Sequence, residues 1–267
     1  MASTEPERER ESLLEGSLIS HLLELRTRLM RAAISVGIVA IPCMIYANEL
    51  FGFVAKPLLK ALPKGAQMIS ISVMAPLMTP FKLALYIALV LAMPYVLYQV
   101  WAFVAPGLYR HEKRFATPLL VSSVILFYAG IAFAYFVVFP LMFAFFTATA
   151  PPGVQMMTDM TQYLDFVLIL FLAFGLAFEI PVAIVLLVWT GLVKLESLTK
   201  NRGYVLLAVF IQAAIITPPD VISMTAMALP MYALYEVGIV MARILARSKL
   251  EARAREEKAE NERAAGT

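Results

Sequence analysis

The chain has 267 residues, 61% of them hydrophobic and 15% charged, with a mean hydropathy of +0.79. An ordinary soluble domain carries about 25% charged residues, so one water-soluble core cannot hide this much apolar surface and lipid is the expected solvent. The net charge of +3 is too small to argue for nucleic acid, and the single cysteine, Cys43, excludes a disulfide framework and a cysteine metal cluster.

The first residues, MASTEPERERESLLEGS, are acidic and polar. They lack a basic region followed by an apolar one, so no cleavable signal peptide is expected, and the first membrane helix serves for targeting. The apolar runs then predict an all-α membrane protein with six transmembrane helices, each needing roughly 20 residues to cross. The first is expected at 29–47. The second, 79–104, starts at Thr79-Pro80, where Thr can cap and Pro suits the first helical position. Between them, Lys56, Lys60 and Lys64 stand at helical spacing among apolar residues. That pattern predicts a short helix on the outer leaflet, interrupted at Pro57.

The third helix is expected at 118–146, the fourth at 161–192, the fifth at 203–216 and the sixth at 221–245. Residues 1–246 thus read as one membrane domain and 247–267 as a charged cytoplasmic tail. Interior prolines, Pro42, Pro94, Pro140, Pro181 and Pro230, fall in every helix but the fifth. Each removes a backbone hydrogen bond and tends to kink its helix, which predicts a concave bundle. The final helices are expected to be short. The fifth, 203–216, would reach only about 21 Å, against a hydrocarbon core of about 30 Å.

Orientation follows from the basic residues. With both termini cytoplasmic, the inner side holds Arg8, Arg10, Arg26, Arg28 and Arg31, then Arg110, Lys113 and Arg114, then Lys194, Lys200 and Arg202. The tail adds Arg243, Arg247, Lys249, Arg253, Arg255, Lys258 and Arg263. The outer side holds Lys56, Lys60, Lys64 and Lys82 alone of the 22 basic residues.

Enzyme signatures are absent. His21 and His111 both fall at the cytoplasmic edge, and no phosphate loop or His/Cys metal pattern appears, so no metal or cofactor is expected. Glu179 falls near the middle of the fourth helix, two residues before Pro181. An acid at membrane depth costs on the order of 3 kcal/mol and marks a functional site by default, although a neutral Glu paired inside the bundle is the bland alternative. Two cytoplasmic segments also stand out: Ser20-His21-Leu22-Leu23-Glu24-Leu25-Arg26-Thr27-Arg28-Leu29, and the run from Trp101 to Arg114. Each places one carboxylate, Glu24 or Glu112, among basic residues. Glu24 can instead pair with Arg28 at i,i+4, worth a few tenths of a kcal/mol, and Glu112 can be a helix cap or a solvated loop charge.

These segments resemble the TatC family, the multi-spanning core of the twin-arginine protein translocase. SHLLELRTRL is similar to its N-terminal motif and YQVWAFVAPGLYRHEKR to its first cytoplasmic loop. FYAGIAFAYFVVFP, AFGLAFEIPVAIVLL, ITPPD and MALPMYALYEVG come next in the family's order, so the resemblance covers the chain from about Leu18 to Arg243. It implies a receptor in the bacterial inner membrane that recognises twin-arginine signal peptides of folded precursors. Transport would be driven by the proton-motive force. By the same resemblance Glu24 and Glu112 would receive the two arginines, with Arg26 and Phe103 in the same binding region, and Phe103 would take the residues after the arginine pair. Arg guanidinium suits this because its planar fork of donors matches a carboxylate. The resemblance further implies TatA and TatB as partners, a higher-order oligomer, and partner docking near Thr217, Asp220 and position 224. Two departures stand out. Ala75-Pro76-Leu77-Met78 replaces an aromatic run, and Met224 stands where the family often carries Gln. The rival reading is a proton-coupled small-solute transporter with Glu179 as its proton site, and a third is a passive assembly scaffold. Against the transporter, no internal repeat is visible.

Overall fold

The computed structural model describes the backbone of residues 5–61, 68–104, 113–149, 157–217 and 220–265, and the side chains of 19–56, 68–103, 117–149, 157–217 and 220–247. The described chain is helical: α1 (Glu5–Ile45), α2 (Ala47–Ala61), α3 (Ala75–Val104), α4 (Lys113–Phe133), a π-helical turn (Ala134–Val138), α5 (Phe139–Thr149), α6 (Met160–Ala177), α7 (Ile180–Trp189), α8 (Leu195–Lys200), α9 (Arg202–Ile216) and α10 (Val221–Ala265). Among the described residues, five stretches are long and apolar enough to cross a membrane: Ile19–Ile45, Ala75–Phe103, Thr117–Thr149, Met160–Trp189 and Val221–Arg247. The sixth apolar helix, Arg202–Ile216, has 15 residues and reaches only about 22 Å. The chain forms two compact units, one of 1–53 with 76–124 and one of 54–75 with 125–267.

Several boundaries differ from the sequence reading for identifiable reasons. α1 begins well before Leu29, because Leu, Glu and Arg are strong helix formers and continue the membrane helix through Ser20–Leu29. α2 runs unbroken past Pro57 to Ala61. α3 starts at Ala75 instead of Thr79, so Thr79 is not a cap; it is buried. Pro76, at the second helical position, takes the role expected of Pro80. The Ser72 carbonyl accepts from the Ala75 amide (3.1 Å) and its hydroxyl from Met74 (3.4 Å). α4 begins at Lys113, placing Pro118 inside the helix. Ahead of Pro140 the helix widens, and the Phe139 amide donates to the Ala134 carbonyl five residues back. The last helix is not short. α10 has 45 residues, since the Ala/Arg/Glu/Lys composition beyond Arg247 continues it.

The fourth span is also not continuous. Asp159 caps α6 by accepting from the Gln162 amide (3.3 Å). The helix then breaks at Phe178–Glu179, and Pro181 stands in the first turn of α7. There its missing N–H is tolerated.

In the first unit, Ala40, Cys43 and Ala47 pack on Ala84 and Ala88, flanked by Val36, Val39, Leu50 and Ile87. Small side chains let helix backbones approach closely where lipid gives no hydrophobic drive. The second unit is built on aromatic rings. Phe139, Phe143 and Tyr163 contact one another at centroid distances of 4.6–5.8 Å, and Phe133 meets Phe174 and Phe178 at 5.6 and 5.7 Å. α6–α7 is the most enclosed span, with 61% of its most apolar window buried, against 11% for the first span. α10 packs along α7 and α9. The approach at α7 is close enough that a Cβ on Gly238 would stand 2.9 Å from the Pro181 Cα.

The segment 54–75 is fixed to the start of α6. Ile69 and Asp159 form an isolated parallel bridge, with Ile69 N–H donating to Thr158 O and Met160 N–H to Ile69 O, both at 3.0 Å. The Asp159 carboxylate also accepts from the Ile71 amide (3.3 Å), and the buried Tyr163 hydroxyl donates to the Val54 carbonyl (2.9 Å).

Candidate functional site

A helix repeats every 3.6 residues, so His21, Glu24, Arg28 and Arg31 fall on one stripe of α1. Leu23, Glu24, Thr27, Arg28 and Arg31 line an open groove of about 330 Å³. Within it Arg28 donates from Nε (2.9 Å) and Nη2 (2.5 Å) to Oε1 of Glu24. Both side chains are partly exposed, Arg28 at 21% and Glu24 at 35%. The pairing left open in the sequence is therefore formed.

At the top of the same stripe, the His21 ring stacks on Phe103, with centroids 4.2 Å apart and planes 22° apart. This joins the two segments that stood out in the sequence, the Ser20–Leu29 run on α1 and the end of α3. Trp101, two residues earlier on the same helix, is buried, while Phe103 is half-buried. The sequence reading left His21 unused, although its place three residues before Glu24 puts it on the same helix face. Arg26, two residues from Glu24, is rotated roughly 200° around the helix. It is exposed and does not line the groove. Glu112 lies outside the described residues.

Glu179 is half-buried at the α6–α7 break, as the residue preceding α7. Its amide donates to Leu176 O (3.1 Å) and its carbonyl accepts from Ala183 N–H (2.9 Å). Tight contacts flank it. A Cβ on Gly130 would stand 2.5 Å from the Phe174 carbonyl oxygen, and Gly238 abuts Pro181.

The three residues expected at a docking patch serve the α9–α10 connection. Thr217 is buried and its hydroxyl donates to Ala213 O (2.9 Å). Asp220 caps α10 by accepting from the Ser223 amide (2.7 Å), and Met224 is half-buried. At the other end of α9, Arg202 pairs with Glu236 (2.8 Å), Tyr232 donates to the same carboxylate (2.9 Å), and Tyr235 donates to Leu198 O (2.8 Å). The sequence reading missed this set, because residues 34 positions apart carry no local signal.

Comparison with known proteins gives the geometry its context. The family model described as "Sec-independent protein translocase protein (TatC)" matches residues 20–230. Proteins named Sec-independent protein translocase protein TatC are similar over most of the chain. That of Haemophilus influenzae is 52% identical, covering 85% of this chain and 88% of the relative. That of Azotobacter chroococcum is 54% identical, covering 83% and 87%, and that of Escherichia coli K12 is 52% identical, covering 85% and 88%. A crystal structure of a twin arginine translocase receptor, TatC, matches with a TM-score of 0.76 at 37% identity, covering 84% of this chain and 98% of that one. The matched region includes the α1 stripe, the end of α3 and the α6–α7 break, and on that evidence the chain belongs to the TatC family of Sec-independent protein translocase proteins.

Proposed function

We propose that this chain is the signal-peptide receptor and core subunit of the twin-arginine translocase, and that its receptor surface is built around Glu24 and Phe103. Family membership supports the translocase role, and the related crystal structure is that of a twin arginine translocase receptor. The single observation that carries the site assignment is the His21–Phe103 stack. It links α1, with its carboxylate, to the end of α3, with its half-buried aromatic ring. A peptide carrying arginines and then apolar residues needs both kinds of contact: a carboxylate for the guanidinium and apolar surface for the side chains beyond it. Glu112, nine residues after Phe103 in sequence, supplies the second carboxylate in this reading.

The remaining assignments go with that role. The protein lies in the bacterial inner membrane with six spans and both termini cytoplasmic, which the bias of Lys and Arg supports. A reporter fused after Ala265 that reads out on the outer side would refute this orientation. Arg26, exposed on the other side of α1, meets the peptide outside the groove or faces lipid headgroups. TatA and TatB are the partner subunits, the α9–α10 region around Thr217, Asp220 and Met224 is where they dock, and the working form is an oligomer. Residues 1–246 act as the membrane domain and the tail beyond Arg247 is dispensable. No observation favours the solute-carrier alternative.

The test is binding of a twin-arginine peptide to the purified protein in lipid nanodiscs. Glu24→Gln keeps size and removes charge. A partly exposed guanidinium–carboxylate contact is worth about 1 kcal/mol after allowance for solvent screening, so affinity should fall about fivefold. A photocrosslinker at Phe103 should capture the peptide just after its arginines. Wild-type affinity in Glu24→Gln, with no capture at Phe103, sinks the assignment.

A further inference from the structure

We propose that Arg28 is a built-in competitor for the peptide arginine, holding Glu24 in an occupied state that sets the affinity threshold of the receptor. The inference rests on Glu24 being the arginine acceptor, as argued above. Arg28 stands one helical turn beyond Glu24 and places two of its donors, Nε and Nη2, on the same oxygen, Oε1. An arriving arginine would offer the same fork of donors to the same carboxylate. Both partners line the open groove, so the contact to be exchanged is reached from the groove itself. Glu24 is the one carboxylate among the described residues lining that groove, and the groove also holds Arg28 and Arg31. A peptide arginine therefore enters a site whose single described negative charge is already paired and whose remaining described charge is positive.

The consequence can be put as a population. If the Glu24–Arg28 pair must open before the peptide docks, the apparent dissociation constant is the intrinsic one divided by the open fraction. A partly exposed i,i+4 pair is weak, so the open fraction is roughly one half to one sixth and the affinity is reduced about two- to sixfold. This factor applies equally to every ligand of Glu24. It leaves the ratio between arginine and lysine peptides unchanged, but it pushes the weaker lysine peptides below a working concentration that arginine peptides still exceed. Arg28 is in this sense a residue that positions the threshold, and the spacing Glu24–Arg28 is the device.

A double-mutant cycle tests it. Affinities of a twin-arginine and a twin-lysine peptide are measured in nanodiscs for wild type, Arg28→Gln, Glu24→Gln and the double variant, with circular dichroism confirming that each retains its helices. The expected result is that Arg28→Gln tightens both peptides by the same two- to sixfold factor, and that the gain vanishes in the Glu24→Gln background. Unchanged or weaker binding in Arg28→Gln overturns the proposal, because Arg28 would then be a bystander or a peptide contact. A gain that persists in full without the Glu24 charge also overturns it, since simple repulsion by Arg28 would explain it. The assignment of Glu24 as the arginine acceptor fails separately, if Glu24→Gln alone binds like wild type.

Discussion

Gly130→Ala should destabilise the second unit at the point where Glu179 is held. A Cβ there would stand 2.5 Å from the Phe174 carbonyl oxygen, 3.0 Å from its carbon and 3.0 Å from the Phe178 Cβ. That is about 1 Å short of a relaxed contact. Two of the three neighbours are backbone atoms, so no side-chain rotation relieves the clash and the end of α6 must move. Overpacking of this kind costs about 1–3 kcal/mol, and the better helix propensity of Ala returns at most about 1 kcal/mol. With that gain returned in full the net loss is about 0–2 kcal/mol, or a fall in melting temperature of up to about 8 °C for a chain of this size. Gly37→Ala is the matched control, because a Cβ at Gly37 meets nothing within 4 Å. Scanning fluorimetry of both variants in one detergent gives the comparison. If Gly130→Ala melts at or above the temperature of Gly37→Ala, the close approach of α4 and α6 is not a constraint and the packing argument fails.

Two further predictions concern the same unit. Asp159→Ala removes both the α6 cap and the acceptor for the Ile71 amide, and should cost about 1–2 kcal/mol. Asp159→Asn, which keeps an acceptor oxygen, should lose less in the same melting assay, and equal losses would show that charge, not capping geometry, matters there. Glu179→Ala should leave twin-arginine peptide binding near wild type while lowering export of a folded cargo protein. Full export would make the acid a tolerated core residue, and loss of peptide binding with a stable fold would assign it to first recognition.

The features legible in the sequence were those written along one dimension. Apolar runs located the five long apolar stretches and the short α9 found among the described residues. Motif spacing put Glu24 and Phe103 in segments that the His21–Phe103 stack joins. The errors came from places where two local solutions compete. Either Pro76 or Pro80 can open a helix. The Ser72 bonds to the Met74 and Ala75 amides support the earlier start, leaving Pro80 without an N–H inside α3. Pro181 signals a disturbance in the fourth span, but a kink in a continuous helix and a break with a new first turn use the same residue. Contact with Gly238 at Pro181 and with Gly130 at Phe174 holds the chain on either side of that break. Those glycines lie 57 residues after and 51 residues before Pro181 in sequence, so no window on α6–α7 contains them.

The pairing of Glu24 is a different kind of case. Its i,i+4 partner was visible from spacing alone, and it read as a reason to discount Glu24 as a functional acid. The geometry changes the weight of that observation. A carboxylate held by a guanidinium in an open groove, one turn from the His21–Phe103 stack, is a carboxylate kept in the right place for another guanidinium. An unpaired acid at that position would be free to turn toward solvent or toward Arg31. The internal pair thus fixes the acceptor's direction at the same time as it weakens the ligand's hold, and the two effects have opposite signs. Removing Arg28 frees the site but also loosens it. The affinity gain in Arg28→Gln should therefore fall toward the lower, roughly twofold end of the range expected from opening the pair, and still be a gain.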